Sequence, residues 1–497
     1  MPAALENPPA AAPPRGSRRE AVRGVRAMVG VRLGTKALGF LGTLILARIL
    51  LPGDFGLFAF ALAVLGILGQ AVQLEVRRDL VRLDEGRPAR AKAYLLVQAA
   101  LGLVLGLFVA FGAGPISAGL GHPEAAPLLL ALSCWPLLEG IRLPAAALLE
   151  VEGRFPALAR IEGAAALGQL GVGVALAFAG AGAFALLGGF LAAALGRTLA
   201  CQVCAGPGLR RARPSRPDFA SVGRVGLPLL FAGFLTTFYW RIDDVLVFAG
   251  LGAAAAGYYA LAFQAPHALL QASEALGRVS LGVLGARRDL EARRRVFSVS
   301  MRASLAILAP ALVFGCVHGE TLFALLFGPK WVPAAGAFTI FLLLATARGA
   351  TAHWADVATL EDRFDLVVKS CLALALALPP LGFLGLRLLG IEGMALGVLA
   401  AWALPAPFYL SWTRRRLSLS YLELLGPTVL SACAALALGF ICVHLLGARS
   451  LPARILVLGA QGALFFLLLA TLDRDLAALA RETLPALPRI RRKEAGT

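Results

Sequence analysis

The chain has 497 residues, of which 59% are hydrophobic and 15% charged, with a mean hydropathy of +0.78. No soluble domain of this size can bury such an apolar surplus, so the composition defines a polytopic membrane protein. A net charge of +18 would suggest nucleic acid in a soluble chain, but in a membrane chain it must first be set against the loops that carry it.

Residues 1–26, with NPPAAAPPRGSRRE, form a Pro/Ala/Arg-rich stretch that cannot bury a core and is expected to be a disordered cytosolic tail. Arg32 and Lys36 interrupt the apolar run that follows, and no clean small-residue cleavage site comes after it. That run is therefore taken as a retained first helix and not as a signal peptide. With about 20 residues per crossing, helices are expected near 28–51, 55–76, 93–113, 126–147, 157–180 and 182–204. They make an N-terminal lobe, 27–204, followed by a basic cytosolic connector, 205–224. Eight further helices are expected near 225–248, 256–277, 297–317, 334–357, 366–389, 391–411, 424–446 and 452–472. The first six of these form a C-terminal lobe, 225–412, the last two occupy 413–475, and a basic cytosolic tail closes the chain at 476–497. The expected fold class is an all-α polytopic membrane protein of about fourteen transmembrane helices.

The distribution of basic residues tests this count, because one missed or invented helix would break the alternation between loops. The alternation holds. Loops on one side carry Arg77, Arg78, Arg82, Arg87, Arg90 and Lys92, then Arg154, then Arg210, Arg211, Arg213 and Arg216. The same side continues with Arg287, Arg288, Arg293, Arg294 and Arg295, then Arg363, then Arg414, Arg415 and Arg416. Opposite loops such as GPISAGLGHPEA carry no Lys or Arg, and the remainder only one or two, such as Lys330 and Arg387. The basic side is expected to face the cytosol with both termini. The charge then follows topology and meets anionic lipid head groups, which makes a nucleic-acid partner unnecessary.

The chain also repeats itself. LLPGDFGLFAFA, at the first external turn, and LGAAAAGYYALA, at the seventh, both fit L-x5-G-x-[FY]-A-x-A, from Leu50 and Leu251. Two related halves of six helices follow, parallel about an axis along the membrane normal. Strings that imitate enzymes are turn chemistry. Asp54 to Gly56 reads DFG without an HRD partner, and Gly250 to Gly257 joins two membrane helices where a dinucleotide turn would join strand to helix. Seven scattered cysteines read as small buried hydrophobes, and Cys201 with Cys204 has no second pair at zinc-site spacing. No catalytic constellation, metal site or cofactor is expected.

Polar side chains inside spans are costly and mark bundle interiors or aqueous cavities. Arg32 and Lys36 share a face of the first helix, with Lys36 roughly 12 Å deep. Gln70, Gln73 and Arg77 form a short stripe on the second helix. Glu139 and Arg142 on the fourth are spaced for an internal ion pair. In the eighth helix Gln264, His267, Gln271, Glu274 and Arg278 recur in one continuous stripe, with His267 about 15 Å in. The seventh carries Arg241, Asp243 and Asp244 in its outer half; Arg241 and Asp244 are spaced to pair, which leaves Asp243 for the cavity or a lobe interface. In the tenth, Arg348 is deep, while His353 and Asp356 approach the cytosolic edge.

Three stretches, LARILLPGDFGLFAFALA from Leu46, RIDDVLVFAGLGAAAAGYYALAFQAP from Arg241 and LFGPKWVPA from Leu326, resemble the oligosaccharide flippases of the multidrug/oligosaccharidyl-lipid/polysaccharide exporter superfamily. The resemblance implies two pseudo-symmetric six-helix lobes around a central cavity plus two C-terminal helices. It also implies a substrate, an undecaprenyl-diphosphate-linked oligosaccharide, moved across the bacterial inner membrane without making or breaking a bond. In the family an Asp is followed by Gly five residues on and a second Gly four further; Asp243 and Gly252 match, but Phe248 stands in the middle. On this reading Arg32 and Lys36 grip the diphosphate, and Gln70, Gln73, Gln264, His267 and Gln271 contact sugar hydroxyls. Arg241, Asp243, Asp244, Glu274 and Arg348 serve gating or coupling to protons or sodium. Membrane lipids, a polysaccharide polymerase and other export components are the expected partners. A peptidoglycan-precursor flippase, a cation-coupled multidrug antiporter and a membrane glycosyltransferase or ligase stay open as alternatives, the last weakened by the lack of a long external loop.

Overall fold

The computed structural model describes residues 34–83, 85–286, 290–351, 353–448 and 450–473, and every regular element among them is helical. Hydrocarbon has no water to satisfy backbone N–H and C=O groups, and a helix satisfies them within itself. The helices are α1, 34–49; α2, Pro52–Gly69; α3, Val76–Leu80; α4, Arg87–Gly119; α5, Ala126–Leu132; and α6, Trp135–Val151. They continue with α7, Phe155–Phe178; α8, Ala183–Arg211; α9, Arg216–Ser221; α10, Leu227–Ala286; α11, Leu290–Leu326; and α12, Ala335–Thr351. The rest are α13, Trp354–Leu360; α14, Phe364–Ala403; α15, Ala406–Leu417; α16, Tyr421–Phe440; and α17, Leu451–Leu472.

Eleven stretches among the described residues are long and apolar enough to cross a membrane. Two of them double back. Gly233–Glu274, of 42 residues, turns at Gly252, and Asp365–Leu417, of 53, turns at Leu389 and Gly390. Gly252 has φ 83° and Gly390 φ 61°, a left-handed backbone that glycine adopts without a Cβ penalty. The eleven stretches thus hold thirteen crossings, and α1 stands where the first span was expected.

Two expected continuous spans are broken. α2 ends at Gly69, followed by a short 3-10 turn at Gln70–Val72, and the fourth span divides into α5 and α6. At the first break Gln98 donates its side-chain amide to the carbonyls of Val72, at 2.7 Å, and Leu74, at 3.4 Å, satisfying acceptors that a continuing helix would have used.

The chain divides into two compact units, one of residues up to Leu50 with Leu65–Phe234, the other of Leu51–Val64 with Leu235 onward. In the first, α1 runs parallel to α7, with Gly42 against Leu170 and Leu46 against Gly173. Near the loops rich in Arg, Asp79 on α3 accepts from Arg90 at 3.0 Å, Tyr94 at 3.1 Å and Ser221 at 2.8 Å. Arg90 also donates to Asp218 at 2.8 Å, so one guanidinium ties α3 and α4 to α9. Asp218 caps α9 by accepting from the backbone and hydroxyl of Ser215.

In the second unit the two copies of the sequence repeat meet. A Cβ at Gly56 would lie 1.7 Å from the Ala253 carbonyl oxygen, and one at Gly257 would lie 1.8 Å from that of Pro52. These glycines hold equivalent places in the repeat, and only their lack of a side chain admits such close backbones. Phe248 stacks on Phe60 with centroids 4.0 Å apart, which gives a packing reason for a ring where the family pattern has glycine. Trp331, fully buried, meets Phe55 at 5.1 Å and Tyr258 at 5.9 Å, so the three stretches that carried the family resemblance form one packed node. α17 is fastened to α11 by Arg302 with Asp473 at 2.9 Å, by His318 with Gln461 at 2.8 Å, and by Arg454 with Thr321, and Gln461 also donates to the Ala435 carbonyl of α16 at 3.0 Å.

Candidate functional site

The second half of α10 carries the polar stripe into the interior of the second unit. The Gln271 amide nitrogen donates to His267 Nε2 at 2.7 Å, and the imidazole stacks on Phe263 at 4.8 Å and meets Trp240 edge-on at 5.1 Å. One turn on, Glu274 accepts from Arg348 at 3.4 Å. The Arg348 guanidinium lies 4.2 Å from the Trp240 ring and 5.1 Å from the Trp402 ring. Two aromatic faces thus hold the cation in a desolvated position that one long carboxylate contact would not secure. Gln264 is exposed, and the side chain of Arg278 lies outside the described residues.

Arg348 and Glu274 face a cavity of about 300 Å³ whose lining includes Tyr239, His353, Asp356, Ser370, Trp402 and Tyr409. The start of α13 forms part of its wall through Trp354, Ala355 and Asp356. His353, the N-cap of α13, lies 3.3 Å from the Ser304 hydroxyl and 3.5 Å from Asp356. Rings, a fixed guanidinium and carboxylates converge there, a combination suited to stacking on and hydrogen bonding a polar ligand. Among the described residues no group of three or more His, Cys, Asp or Glu side chains is arranged to hold a metal ion.

On the first half of α10, Arg241 and Asp244 pair at 3.5 Å. Asp243 differs from expectation. It is buried within the second unit and accepts from the Tyr259 hydroxyl at 2.8 Å, because the turn at Gly252 folds the repeat's tyrosine back onto it. Tyr259 was not legible as a partner, since sixteen residues separate the two across a helix reversal.

In the first unit, Lys36 lies exposed on α1, and Arg32 lies outside the described residues. The stripe of Gln70, Gln73 and Arg77 does not exist as a helical face. α2 stops before it, Gln73 has ψ 68°, and Gln70 packs against Gly233. Arg77 pairs with Glu150 at 3.3 Å, and Arg142 grips Glu139 through two contacts of 2.9 and 2.5 Å. A second intramembrane pair, Arg197 with Glu162 at 3.6 Å, escaped the sequence reading because its members lie on different helices.

Thirteen crossings and α1, gathered in two compact units with ion pairs inside them, define a multi-pass membrane protein. Solved structures share its fold: a lipid II flippase MurJ in an inward closed conformation, at TM-score 0.74 and 12% identity over 92% of this chain and 99% of that one. An inward-facing multidrug resistance MATE family transporter of the MOP superfamily aligns at TM-score 0.60 and 15% identity, over 77% and 94%. No curated protein matches the sequence. Residues 45–336 match the polysaccharide biosynthesis protein family, and the chain belongs to that family.

Proposed function

We propose that the chain carries an undecaprenyl-diphosphate-linked oligosaccharide across the bacterial inner membrane by alternating access, for synthesis of O-antigen, capsule or exopolysaccharide. The observation that carries the reading is membership of a polysaccharide biosynthesis family on a transporter fold. The aromatic and charged cavity around Arg348 supports it, since a head group of sugar hydroxyls suits such walls better than an apolar drug does. Lys36 and Arg32 provide charge for the diphosphate, and no bond is made or broken. Transport runs on a proton or sodium gradient, with Asp243 as its seat: a carboxylate buried beside Tyr259 changes its surroundings whenever α10 moves. The basic loops and both termini face the cytosol, where membrane lipids, a polymerase and other export components are the partners.

The fold similarity to a lipid II flippase favours one second reading, transport of the peptidoglycan precursor. Reconstitution decides between them. Vesicles holding the purified chain are loaded with a fluorescent lipid-linked O-antigen unit or with labelled lipid II, and exposure on the outer leaflet is followed with and without a proton gradient and a sodium gradient. Movement of lipid II alone overturns the proposal, and movement unaffected by collapsing both gradients removes the coupling.

A further inference from the structure

The first unit holds a charged layer that the sites described so far do not use. Glu139 and Arg142 on α6, Glu162 on α7 and Arg197 on α8 form two ion pairs of unlike quality. Arg142 is held by both oxygens of Glu139 and is also within electrostatic reach of Glu162. Arg197 is held loosely: its contact with Glu162 is 3.6 Å, and its Nε donates to the Ala193 carbonyl at 3.3 Å. The looser pair is also the more accessible, at 27% and 41% side-chain exposure against 19% and 15% for Arg142 and Glu139.

Arg197 is turned away from the exposed apolar face of its own helix. Leu195, Leu199 and Val203 form the exposed apolar face of α8, and at about 100° per residue Arg197 lies some 120° to 160° from each of them. On α7, Glu162 lies about 140° from the exposed Leu167, about 160° from Phe178 and about 80° from Val172. An accessible arginine on the side of a membrane helix opposite its lipid face implies contact with water or a polar ligand. The parallel packing of α1 on α7 puts Lys36, six residues before Gly42, level with position 164, at the height of Glu162.

We propose that Arg197 is a binding residue for a phosphate or diphosphate ester inside the first unit, with Glu162 as a counter-ion that the arriving anion displaces and Lys36 adding charge at the same height. Before binding, Glu162 balances Arg197, which makes an intramembrane guanidinium tolerable. On binding, the ester oxygens replace one long carboxylate contact with paired hydrogen bonds that suit the planar guanidinium. The proposal rests on the lipid-diphosphate reading above and adds residues that no sequence pattern assigned.

The test uses the full chain in phosphatidylcholine nanodiscs, titrated with undecaprenyl diphosphate, with inorganic pyrophosphate and phosphatidylglycerol as competitors. Arg197→Gln is expected to weaken undecaprenyl diphosphate and pyrophosphate roughly tenfold, the loss of a charge-assisted pair. Glu162→Gln is expected to tighten both by a few-fold, because it removes a competing like charge. A purely structural ion pair predicts the same sign for both variants, or unchanged affinity with a lowered melting temperature, and either result overturns the proposal. Displacement by phosphatidylglycerol as effective as by pyrophosphate overturns it too, since the site would then belong to bulk lipid head groups. Should Arg197→Gln fail to fold, Arg197→Lys, expected to bind between Gln and wild type, and Glu162→Gln decide the matter. A chain whose anion affinities shift as expected but which moves no lipid-linked oligosaccharide overturns the transport reading and leaves this site standing.

Discussion

The contact between Gly56 and Gly257 gives the sharpest prediction. A Cβ at Gly56 would lie 1.7 Å from the Ala253 carbonyl oxygen and 2.7 Å from the Gly257 nitrogen, whereas real Cβ atoms keep at least 3.0 Å. The backbones must therefore part by 1.3 Å to admit Gly56→Ala, the difference between 3.0 and 1.7, and by 1.2 Å to admit Gly257→Ala, the difference between 3.0 and 1.8. No rotamer change relieves either clash, because both obstacles are main-chain atoms. Overpacking typically costs about 1–3 kcal/mol, and between membrane helices held by close van der Waals contact the upper part of that range is expected. The two costs should not add: once Gly56→Ala has separated the helices, Gly257→Ala meets less resistance. Gly53→Ala is the control, since its Cβ would meet nothing nearer than 4.0 Å. Reversible denaturation of the purified chain in mixed micelles measures the four variants. A Gly56→Ala protein as stable as wild type, or single-site costs that sum in the double variant, would refute the contact as the reason for the repeat.

Lys36→Ala at matched membrane levels should cut polymer export by roughly tenfold or more, as expected for loss of a charge-assisted contact; wild-type export removes Lys36 from the mechanism. Swapping the charges of Arg241 and Asp244 should recover part of the activity lost in either single variant, because their contact is a simple i, i+3 pair. A double variant no better than the singles argues against that pairing. Tyr259→Phe should shift the pH dependence of transport by removing the donor to Asp243, while leaving undecaprenyl diphosphate affinity unchanged. An unchanged pH profile would take Asp243 out of coupling. Asp218 is opposed by burial, yet hydrogen bonds from Ser215 and Arg90 hold its carboxyl below the usual carboxylate range. Its contribution to stability is therefore present above the unfolded value of about 3.9 and lost as pH falls through the lower folded value. Asp218→Asn should accordingly melt below wild type at neutral pH and converge with it in acid, and a gap independent of pH would contradict this.

The sequence by itself determined the crossings, their alternation and the repeat, because a hydrocarbon solvent imposes its demands on contiguous residues: an apolar run of fixed length, basic loops on alternate sides, glycine where backbones must touch or turn. Turns at Gly252 and at Leu389–Gly390 fall between helices placed from hydropathy alone. The pairing of Glu139 with Arg142 and of Arg241 with Asp244 was equally legible, each lying within one helical turn. Only the tertiary structure decided the rest. The Gln70–Gln73 stripe dissolved because Gln98, from another helix, takes the carbonyls at the break. Asp243 turned inward because the reversal at Gly252 brings Tyr259 to it. Trp240 and Trp402 around Arg348, and Arg197 beside Glu162, come together from helices whose mutual rotation no single-helix periodicity encodes. The membrane selects residues by depth and face along each span, which a sequence records, whereas partners across spans depend on how the helices are turned toward one another.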